Sequence, residues 1–392
     1  MNVPLSLYVH LPWCVQKCPY CDFNSHAAGD AAPRTRYLDA VLRDLEAEAA
    51  RSGGRSVETV FLGGGTPSLF SPAEIERLLQ AVRDNFALAD DAEITMEANP
   101  GTVECGDPAG YRDAGVNRLS FGGQSFDDGL LRAIGRIHSS DDIVRAVQDA
   151  SAAGFDSINI DLMHGLPGQD TAMALDDLRA AIELAPVHLS WYQLTLEPNT
   201  VFFARPPEGL PDDEAAWAIQ EEGQKLLAEN GYRQYEVSAW AREQQYCRHN
   251  LNYWLFGDYV AVGAGAHGKV SNRHGVFRYL KPANPLQYMK TLETGGQSTE
   301  LLPLSKDDLV FEFMLNALRL VDGFSEEVFA ARTGEAAADL ATIMRPAQDK
   351  GLVVREADSA WRPTSLGRRF LNDLQAEFLP GMHRNSAAKA LS

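Results

Sequence analysis

The stretch Tyr8-Val-His-Leu-Pro-Trp-Cys14-Val-Gln-Lys-Cys18-Pro-Tyr-Cys21-Asp-Phe23 decides how the rest of the chain is interpreted. It holds three of the chain's 5 cysteines, spaced C-x3-C-x2-C, directly after an apolar, strand-like run over residues 5–11. Thiolates are ligands that suit iron–sulfur clusters, zinc and copper(I). A [4Fe–4S] cluster normally takes four cysteines. Three cysteines leave one iron without a protein ligand, and an open coordination position is typical of a metal site that does chemistry.

Structural zinc is the alternative for these cysteines, with His10 or His26 as the fourth ligand. Zinc motifs usually consist of two well-separated ligand pairs, and this stretch has no second pair. A disulfide framework is disfavoured because three clustered cysteines cannot all pair. The spacing therefore favours a cluster, and zinc stays open as the second interpretation.

The composition is that of an ordinary globular protein, with 392 residues of which 45% are hydrophobic and 23% charged. This length accommodates one large domain and a smaller one. No apolar run approaches the length of a membrane span, and no signal peptide precedes the first strand-like segment. Unevenly spaced cysteines without an export signal fit a reducing compartment. We expect a cytoplasmic protein with no integral membrane segment.

The formal net charge of −19 bears on the choice of partner. Proteins that bind nucleic acid need a basic surface to neutralise phosphates. The bulk charge here has the opposite sign, so no nucleic-acid partner is expected.

Strand-like and helix-like segments alternate through the first half of the chain. The strand-like segments are residues 5–11, 57–62, 94–98, 117–121, 157–162 and 188–196, and the helical intervals include 37–50, 127–134, 141–153 and 172–184. Such alternation predicts a parallel sheet with crossover helices, either open or closed into a barrel. In both architectures ligands gather at the carboxyl ends of the strands. The cysteines, a glycine run and several polar residues lie at or near those ends.

The pattern changes after residue 205, which divides the chain into four parts. Residues 1–205 are predicted to form the core, and residues 206–302 a connecting segment that contains a Gly- and aromatic-rich stretch at 250–268. Residues 303–380 read as helices followed by a β-hairpin, as in a winged helix. Acidic and neutral residues prevail there, so we expect a packing or partner domain. Residues 381–392 are predicted to be a flexible tail.

The C-x3-C-x2-C spacing resembles the signature of the radical-SAM superfamily. The resemblance implies a [4Fe–4S] cluster on Cys14, Cys18 and Cys21, with S-adenosylmethionine (SAM) on the fourth iron. It also implies an α/β fold, an incomplete parallel (β/α)6 radical-SAM barrel with a helical, winged-helix-like C-terminal domain. Over residues 5 to about 378, the order of motifs is similar to that of the oxygen-independent coproporphyrinogen III oxidases and their relatives.

The same resemblance assigns SAM-binding roles to polar and glycine positions that individually have ordinary structural explanations. The glycine run Gly63-Gly64-Gly65-Thr66-Pro67 lets backbone approach a ligand closely. Residues implied to contact the cluster-bound SAM are Tyr8, Gly64 and Glu97. Residues that correspond to a second SAM site in the oxidases are Tyr20, Gly65, Thr66, Gln124, Arg136 and Asp161. An extra glycine in Gly122-Gly123 is expected to loosen the strand end before Gln124.

Two features separate the oxidases from their relatives, the radical-SAM haem chaperones. The oxidases carry another cysteine two residues after the third, where this chain has Phe23, and they have a longer N-terminal extension. The stretch His249-Asn250-Leu-Asn-Tyr253-Trp254 resembles the H-N-x-x-Y-W motif that the chaperone family associates with haem. The resemblance implies haem as cargo and apo-haemoproteins as acceptors. Oxidative decarboxylation of coproporphyrinogen III is the alternative, so enzymatic activity stays open.

The residues themselves are compatible with haem. Histidine is a common axial ligand of haem iron, and Tyr253 and Trp254 offer flat apolar surface to a macrocycle. In the structural alternative, His249 is a core histidine and the aromatic residues serve packing. Cys247 is a rival axial ligand, and Cys105 has no cluster neighbours.

Overall fold

The structure is a computed structural model that describes residues 3–28, 33–101, 106–295 and 299–380. The predicted tail at 381–392 and Cys105 lie outside the described residues. Within these ranges the strands are β1 (Leu5–Leu11), β2 (Trp13–Cys14), β3 (His26–Ala27), β4 (Val57–Gly64), β5 (Leu88–Ala98), β6 (Arg118–Gln124), β7 (Ser157–His164), β8 (His188–Gln193), β9 (Arg233–Glu236), β10 (Ala239–Ala241), β11 (Asp258–Val262), β12 (His267–Asn272), β13 (Gly275–Leu280), β14 (Leu302–Pro303), β15 (Phe324–Ser325), β16 (Val353–Arg355) and β17 (Ala360–Pro363).

The helices fill most of the intervals between the strands. They are α1 (Arg34–Ala49), α2 (Pro72–Asn85), α3 (Pro108–Ala114), α4 (Asp128–Ala133), α5 (Ser140–Ala152), α6 (Thr171–Glu183), α7 (Val201–Ala204), α8 (Asp213–Glu229), α9 (Arg248–Trp254), α10 (Pro285–Glu293), α11 (Lys306–Ala317), α12 (Glu326–Thr333), α13 (Ala337–Asp349), α14 (Ser365–Arg369) and α15 (Leu371–Ala376). Among the described helices, none combines the length and the apolar character that crossing a membrane requires.

One large sheet organises residues 5–303, with twelve strands in the order β14-β13-β12-β11-β1-β4-β5-β6-β7-β8-β10-β9. The run from β11 to β8 is parallel throughout. It contains the six strands expected from the sequence, with α1, α2, α3, α5 and α6 in the connections between them. The predicted α/β class and parallel core are therefore confirmed. Within the described residues the two outermost strands, β14 and β9, do not pair, so the sheet is not closed.

Strand β1 lies at the centre of this sheet, hydrogen-bonded on both sides. Its residues pair in parallel with β11, for example Tyr8 with Ala261, and with β4, for example Leu11 with Gly64. Every residue of β1 except Tyr8 is buried. Near-continuous burial is expected where helices cover both faces of a parallel sheet. The cysteine loop therefore begins from one of the most constrained positions in the chain.

Strand β11 is a seventh parallel strand that the periodicity of the sequence did not predict. It comes from the Gly- and aromatic-rich stretch and extends the core beyond β1. The hairpin of β12 and β13 continues the sheet in antiparallel fashion. Residues expected to form a connecting segment thus contribute strands to the same sheet as the core.

The C-terminal region has the predicted order of helices followed by a β-hairpin. Helices α11 to α13 precede the hairpin β16–β17, and β15 completes a small three-stranded sheet. A second apolar cluster, built around Phe313, Phe329 and Trp361, fills this region. Phe256, from the end of the α9 segment, belongs to this second cluster, so the two regions share packed apolar residues.

A fully buried lysine joins α1 to the outer strands of the sheet. The Nζ of Lys281 lies 2.6 Å from Oδ1 of Asp44 and 2.7 Å from Oε1 of Glu48. The Tyr288 hydroxyl donates to the second oxygen of Asp44 at 2.7 Å. Burial raises the pKa of Asp44, and the Lys281 ammonium opposes that shift. The ammonium is thus required to keep two buried carboxyl groups compatible with the core.

Replacing Lys281 with methionine should destabilise the protein strongly, because Asp44 would stay buried without a cation and Glu48 would keep only its ion pair with Arg51. Removing one partner of a buried ion pair costs about 3–5 kcal/mol. Arg77→Ala is the matched control, since it removes the exposed pair between Arg77 and Asp39, which is worth less than about 1 kcal/mol. Urea unfolding curves of the two variants measure the difference. Equal unfolding midpoints would contradict this role of Lys281.

Candidate functional site

The cysteine loop follows β1 and is closed by a short strand bridge. The amide of His26 donates to the carbonyl of Pro12 at 2.7 Å, and the amide of Ala28 donates to the carbonyl of Cys14 at 2.6 Å. These bonds pair β2 with β3 and bring the two ends of the loop together. The three thiols, Cys14, Cys18 and Cys21, are half-buried. They are therefore held by a closed loop and still accessible to a ligand.

The glycine run at the end of β4 supports the beginning of the cysteine loop. The amide of Gly65 donates to the carbonyl of Leu11 at 2.8 Å, and the amide of Thr66 donates to that of Trp13 at 2.7 Å. Gly64 has a positive φ of 113°, and a Cβ there would meet the His10 ring at 2.4 Å. A Cβ on Gly65 would meet the backbone of Pro12 and Trp13 at 2.6 Å. Both positions therefore require glycine.

The structure brings the three thiols and the polar strand ends together around one cavity, which we call the cysteine cavity. Eleven of the residues predicted from the sequence line it: Cys14, Cys18, Tyr20, Cys21, Gly64, Gly65, Thr66, Glu97, Gln124, Arg136 and Asp161. They come from the loop that follows β1, from the ends of β4, β5, β6 and β7, and from the turn after α4. This convergence is what the carboxyl ends of parallel strands produce.

Arg136 connects the thiols to the strand ends. Its guanidinium donates to Oδ1 of Asn99 and to the carbonyl of Gly122, both at 2.7 Å. A third N–H reaches Sγ of Cys18 at 3.6 Å. Asn99 in turn donates to Oγ1 of Thr66 at 3.0 Å. A cation is thus placed beside a metal-ligand candidate.

Gln124 reaches the cysteine cavity through a distorted strand end. The pairing of β6 with β7 shifts by one residue between Gly122 and Gln124, and Gln124 has a positive φ of 72°. The Tyr192 hydroxyl donates to Oε1 of Gln124 at 2.8 Å. The looser end of β6 that was expected from the extra glycine is therefore a β-bulge, which directs the Gln124 side chain into the cysteine cavity.

Asp161 lies on the neighbouring strand with both carboxylate oxygens occupied. The Ser120 hydroxyl donates to Oδ2 at 3.0 Å, and the Asn159 amide donates to Oδ1 at 2.9 Å. Each carboxylate oxygen has a second lone-pair site, so Asp161 can still accept hydrogen bonds from a ligand's hydroxyl groups.

Glu97 is half-buried between the cysteine cavity and a second cavity. The amide of Gly64 donates to its Oε2 at 3.1 Å. Burial, followed by the charge of Asp161, raises the pKa of Glu97 to about 7. The carboxyl group can thus change its charge near neutral pH, and its ionised form would be stabilised by a ligand's ammonium group.

The second cavity, which we call the aromatic cavity, has a volume of about 560 Å³. This lies within the range of about 300–1,000 Å³ typical of small-molecule sites. It shares Phe23, Gly64 and Glu97 with the cysteine cavity. Six Phe, Tyr and Trp side chains line it: Tyr8, Phe23, Tyr253, Trp254, Phe256 and Tyr259. The two cavities are therefore neighbours on either side of a common wall.

The H-N-x-x-Y-W motif forms α9, and its residues are divided among different surroundings. Tyr253 and Trp254 line the aromatic cavity. Asn250 instead lines a third cavity, the interdomain cleft, which is bounded by Trp191, Trp254, Arg319 and residues 369–373. The motif therefore reaches the aromatic cavity through its two aromatic residues.

His249 is fully buried beneath the aromatic cavity, and both of its ring nitrogens are hydrogen-bonded. Nδ1 lies 2.7 Å from the Thr59 hydroxyl, and Nε2 lies 3.0 Å from the Tyr253 hydroxyl. Burial lowers its pKa to about 3. Cys247 is also buried, and burial raises the pKa of its thiol to about 12. In this conformation, iron ligation by His249 would require the hydrogen bond at the ligating nitrogen to break.

Sequence reasoning missed several residues of the aromatic cavity. Phe256, Tyr259, His267, Lys269 and Arg278 all line it. They belong to β11, β12, β13 and the turn before β11, which the periodicity did not resolve. The dense aromatic composition of residues 250–268 was the available signal.

The donor set fits a cluster better than a single metal ion. The ring of His10, a candidate zinc ligand, is engaged by the Tyr8 hydroxyl at 2.9 Å and the Asn24 carbonyl at 3.0 Å. The cysteine cavity instead offers three accessible thiols beside Arg136 and the glycine run. This arrangement suits a thiolate-ligated cluster with a chelating ligand.

A parallel sheet with three accessible thiols after its central strand defines a radical-SAM protein. Residues 8–181 match the family described as "Radical SAM superfamily", and residues 304–370 match "HemN C-terminal domain". The chain belongs to the HemW family. It is 49% identical over 380 residues to "Heme chaperone HemW" of Escherichia coli, covering 96% of this chain and 98% of that protein.

More distant relatives agree with this assignment. "Radical S-adenosyl methionine domain-containing protein 1, mitochondrial" of Bos taurus is 38% identical, covering 82% of this chain and 74% of that protein. The solved structure "Coproporphyrinogen III oxidase (HemN) from Escherichia coli is a Radical SAM enzyme" superposes with a TM-score of 0.81 at 26% identity. That match covers 96% of this chain and 90% of the other. Family membership implies a [4Fe–4S] cluster and SAM.

Replacing Gly65 with alanine should weaken SAM binding, because the added Cβ would press on the backbone that leads into Cys14. Overpacking costs about 1–3 kcal/mol, which corresponds to a roughly 5- to 150-fold loss of affinity. Calorimetric titration of SAM into reconstituted protein measures the effect, with iron and sulfide content determined in parallel. Gly231→Ala is the control, since this glycine lies after α8 outside the cysteine cavity and an added Cβ would meet nothing within 4 Å. Equal SAM affinities of the two variants would contradict this role of Gly65 in supporting the cysteine loop.

The raised pKa of Glu97 predicts a pH-dependent stability of the apo-protein. The folded chain holds this proton up to about pH 7, whereas the unfolded chain releases it near 4.5. The free energy of unfolding should therefore fall as pH rises through this window, by about 1.4 kcal/mol between pH 6 and 8 from this group alone.

Glu97→Gln removes this titration. Between pH 6 and 8, the free energy of unfolding of this variant should therefore fall by about 1.4 kcal/mol less than that of the wild type. Urea unfolding at the two pH values tests the difference. Glu76→Gln, on the exposed face of α2, controls for the loss of one carboxylate. If wild type and Glu97→Gln show the same pH dependence, Glu97 does not titrate in this range.

Proposed function

We propose that this protein is a haem chaperone that binds haem in the aromatic cavity and delivers it to apo-haemoproteins. The observation that carries the proposal is the shared wall of Phe23, Gly64 and Glu97 between an aromatic cavity and a cysteine cavity. Strong identity along almost the whole length of relatives named heme chaperones supports it.

Cys14, Cys18 and Cys21 would hold the [4Fe–4S] cluster of this chaperone. Tyr8, Gly64 and Glu97 would bind SAM at the open iron, with the Glu97 carboxylate accepting hydrogen bonds from its amino group. The cofactor environment around the cysteine cavity would be completed by Tyr20, Gly65, Thr66, Gln124, Arg136 and Asp161. Such a cluster, when bound, supplies single-electron chemistry.

Haem would be held mainly by flat apolar contact. Tyr253 and Tyr259 pack edge-to-face, with ring centroids 4.5 Å apart. Trp254 is fixed by the Arg319 guanidinium, which stacks 4.2 Å from its ring centroid. Rings held in this way offer a macrocycle surface at low entropic cost.

Phe23 favours haem binding over enzymatic turnover as the function of this site. Its side chain is 60% exposed and lines the cysteine cavity, the aromatic cavity and the interdomain cleft. An apolar ring at this junction offers contact to a macrocycle and no proton or thiolate for chemistry. We propose that Phe23 forms part of the haem-facing surface.

The second candidate function is oxygen-independent oxidation of coproporphyrinogen III. The TM-score of 0.81 to the HemN structure, over nearly the whole chain, favours keeping it. Aromatic walls would accept a porphyrinogen as well as a haem, so the two functions must be separated by experiment.

Haem titration onto anaerobically reconstituted protein, followed by a coproporphyrinogen assay on the same preparation, separates them. We expect saturable binding of one haem per chain and no formation of protoporphyrinogen. Trp254→Leu should weaken haem binding roughly 5- to 150-fold because it removes a flat wall worth about 1–3 kcal/mol. Trp217→Leu, on α8 outside the aromatic cavity, should bind haem as the wild type does. Turnover combined with weak haem binding would establish the oxidase instead.

A further inference from the structure

Two of the histidines that line the aromatic cavity or lie beneath it have their ring nitrogens occupied. His249 is held by Thr59 and Tyr253, and His10 is held by the Tyr8 hydroxyl and the Asn24 carbonyl. His164 lies elsewhere, buried in the interdomain cleft with its ring 4.3 Å from that of Trp191. None of these imidazoles offers a nitrogen to iron in the aromatic cavity without a rearrangement.

His267 differs from these histidines in its surroundings. It is the first residue of β12, it is exposed, and its side chain lines the aromatic cavity together with Tyr253, Trp254 and Tyr259. Its ring makes no hydrogen bond to another residue in the described part of the chain. An imidazole that faces an aromatic cavity and has no protein partner has a ring nitrogen available to a ligand.

The surroundings of His267 also keep its imidazole in the form that binds metal. Partial burial and the charge of Arg278 both lower the pKa of His267. The ring is therefore neutral at pH 7, and neutral imidazole is the form that donates a lone pair to iron.

The backbone that carries His267 is rigidly held against the cysteine loop. The Asn24 side chain donates to the carbonyl of Ala264 at 2.9 Å and to that of Ala283 at 2.8 Å. The amide of Gly265 donates to the carbonyl of Pro282 at 2.9 Å. His267 itself pairs with Leu280 across the β12–β13 hairpin. A ligand on this turn is preorganised, and preorganisation reduces the entropic cost of binding.

We propose that His267 is the axial ligand of haem iron in the aromatic cavity. The proposal rests on the proposed haem-binding function and names the residue that would bind the iron. Tyr253 and Trp254 of the H-N-x-x-Y-W motif then act as walls for the macrocycle. His249 acts as a positioning residue, because its hydrogen bond fixes the Tyr253 hydroxyl from behind.

The test compares His267→Ala with His274→Ala in haem titrations followed by absorption spectroscopy. His274 lies on the exposed turn of the same hairpin and outside the aromatic cavity, so it controls for the loss of a surface imidazole. Removal of groups that support a metal ligand already costs roughly 10- to 100-fold in metal affinity. We expect His267→Ala to weaken haem binding at least to that extent and to shift the Soret band. His274→Ala should match the wild type, and the cluster absorbance should be unchanged in both.

Added imidazole distinguishes an iron ligand from a residue that merely shapes the cavity. With His267→Ala, imidazole should restore the wild-type Soret position, and His267→Cys should give a thiolate-type spectrum. A wild-type spectrum and affinity in His267→Ala would overturn the proposal, as would loss of the axial band in His249→Ala alone. If the wild type itself binds no haem, the proposed function fails and the ligand assignment fails with it. Wild-type binding combined with an unaffected His267→Ala refutes the ligand assignment alone.

Discussion

Strand β1 is hydrogen-bonded on both sides, and the functional site depends on that constraint. Parallel pairing with β4 places Leu11 beside Gly64, and parallel pairing with β11 places Val9 beside Val262. The end of β1 can therefore not move independently of the glycine run or of the turn that carries His267. Because all these strands run in the same direction, their carboxyl ends lie at one edge of the sheet. Thiols, glycines and polar side chains from distant parts of the sequence meet there as a consequence.

The cysteine cavity was predictable from the sequence because each of its parts is encoded locally. Cys14, Gly64, Glu97 and Asp161 each lie within a few residues of the end of an apolar strand. Once strand and helix alternate, the geometry of a parallel sheet brings such ends together without further information. The resemblance to known radical-SAM proteins added the roles of these residues. The structure adds the contacts that hold them, such as the hydrogen bonds from Arg136 to Asn99 and Gly122.

The aromatic cavity was not predictable in the same way, because its residues are placed by pairings between distant segments. Strand β11, Asp258–Val262, has only five residues and becomes recognisable as a core strand only through its pairing with β1. The orientation of a histidine is similarly non-local. His249 is held in the core by a hydrogen bond between its Nδ1 and the hydroxyl of Thr59, 190 positions away. His267 faces the aromatic cavity because of the register of the β12–β13 hairpin. A motif can identify a histidine but not its hydrogen-bond partners.

The contacts of Asn24 have a consequence for how the protein matures. This side chain anchors the cysteine loop to carbonyl groups 240 and 259 residues further along the chain. At about 5–20 residues per second, a ribosome needs roughly 15 to 50 s to supply the second of these partners. Until then, the loop and β1 lack one of their two supports. The cysteine loop therefore gains its full support only after most of the chain has been made, although its three thiols are among the first residues synthesised.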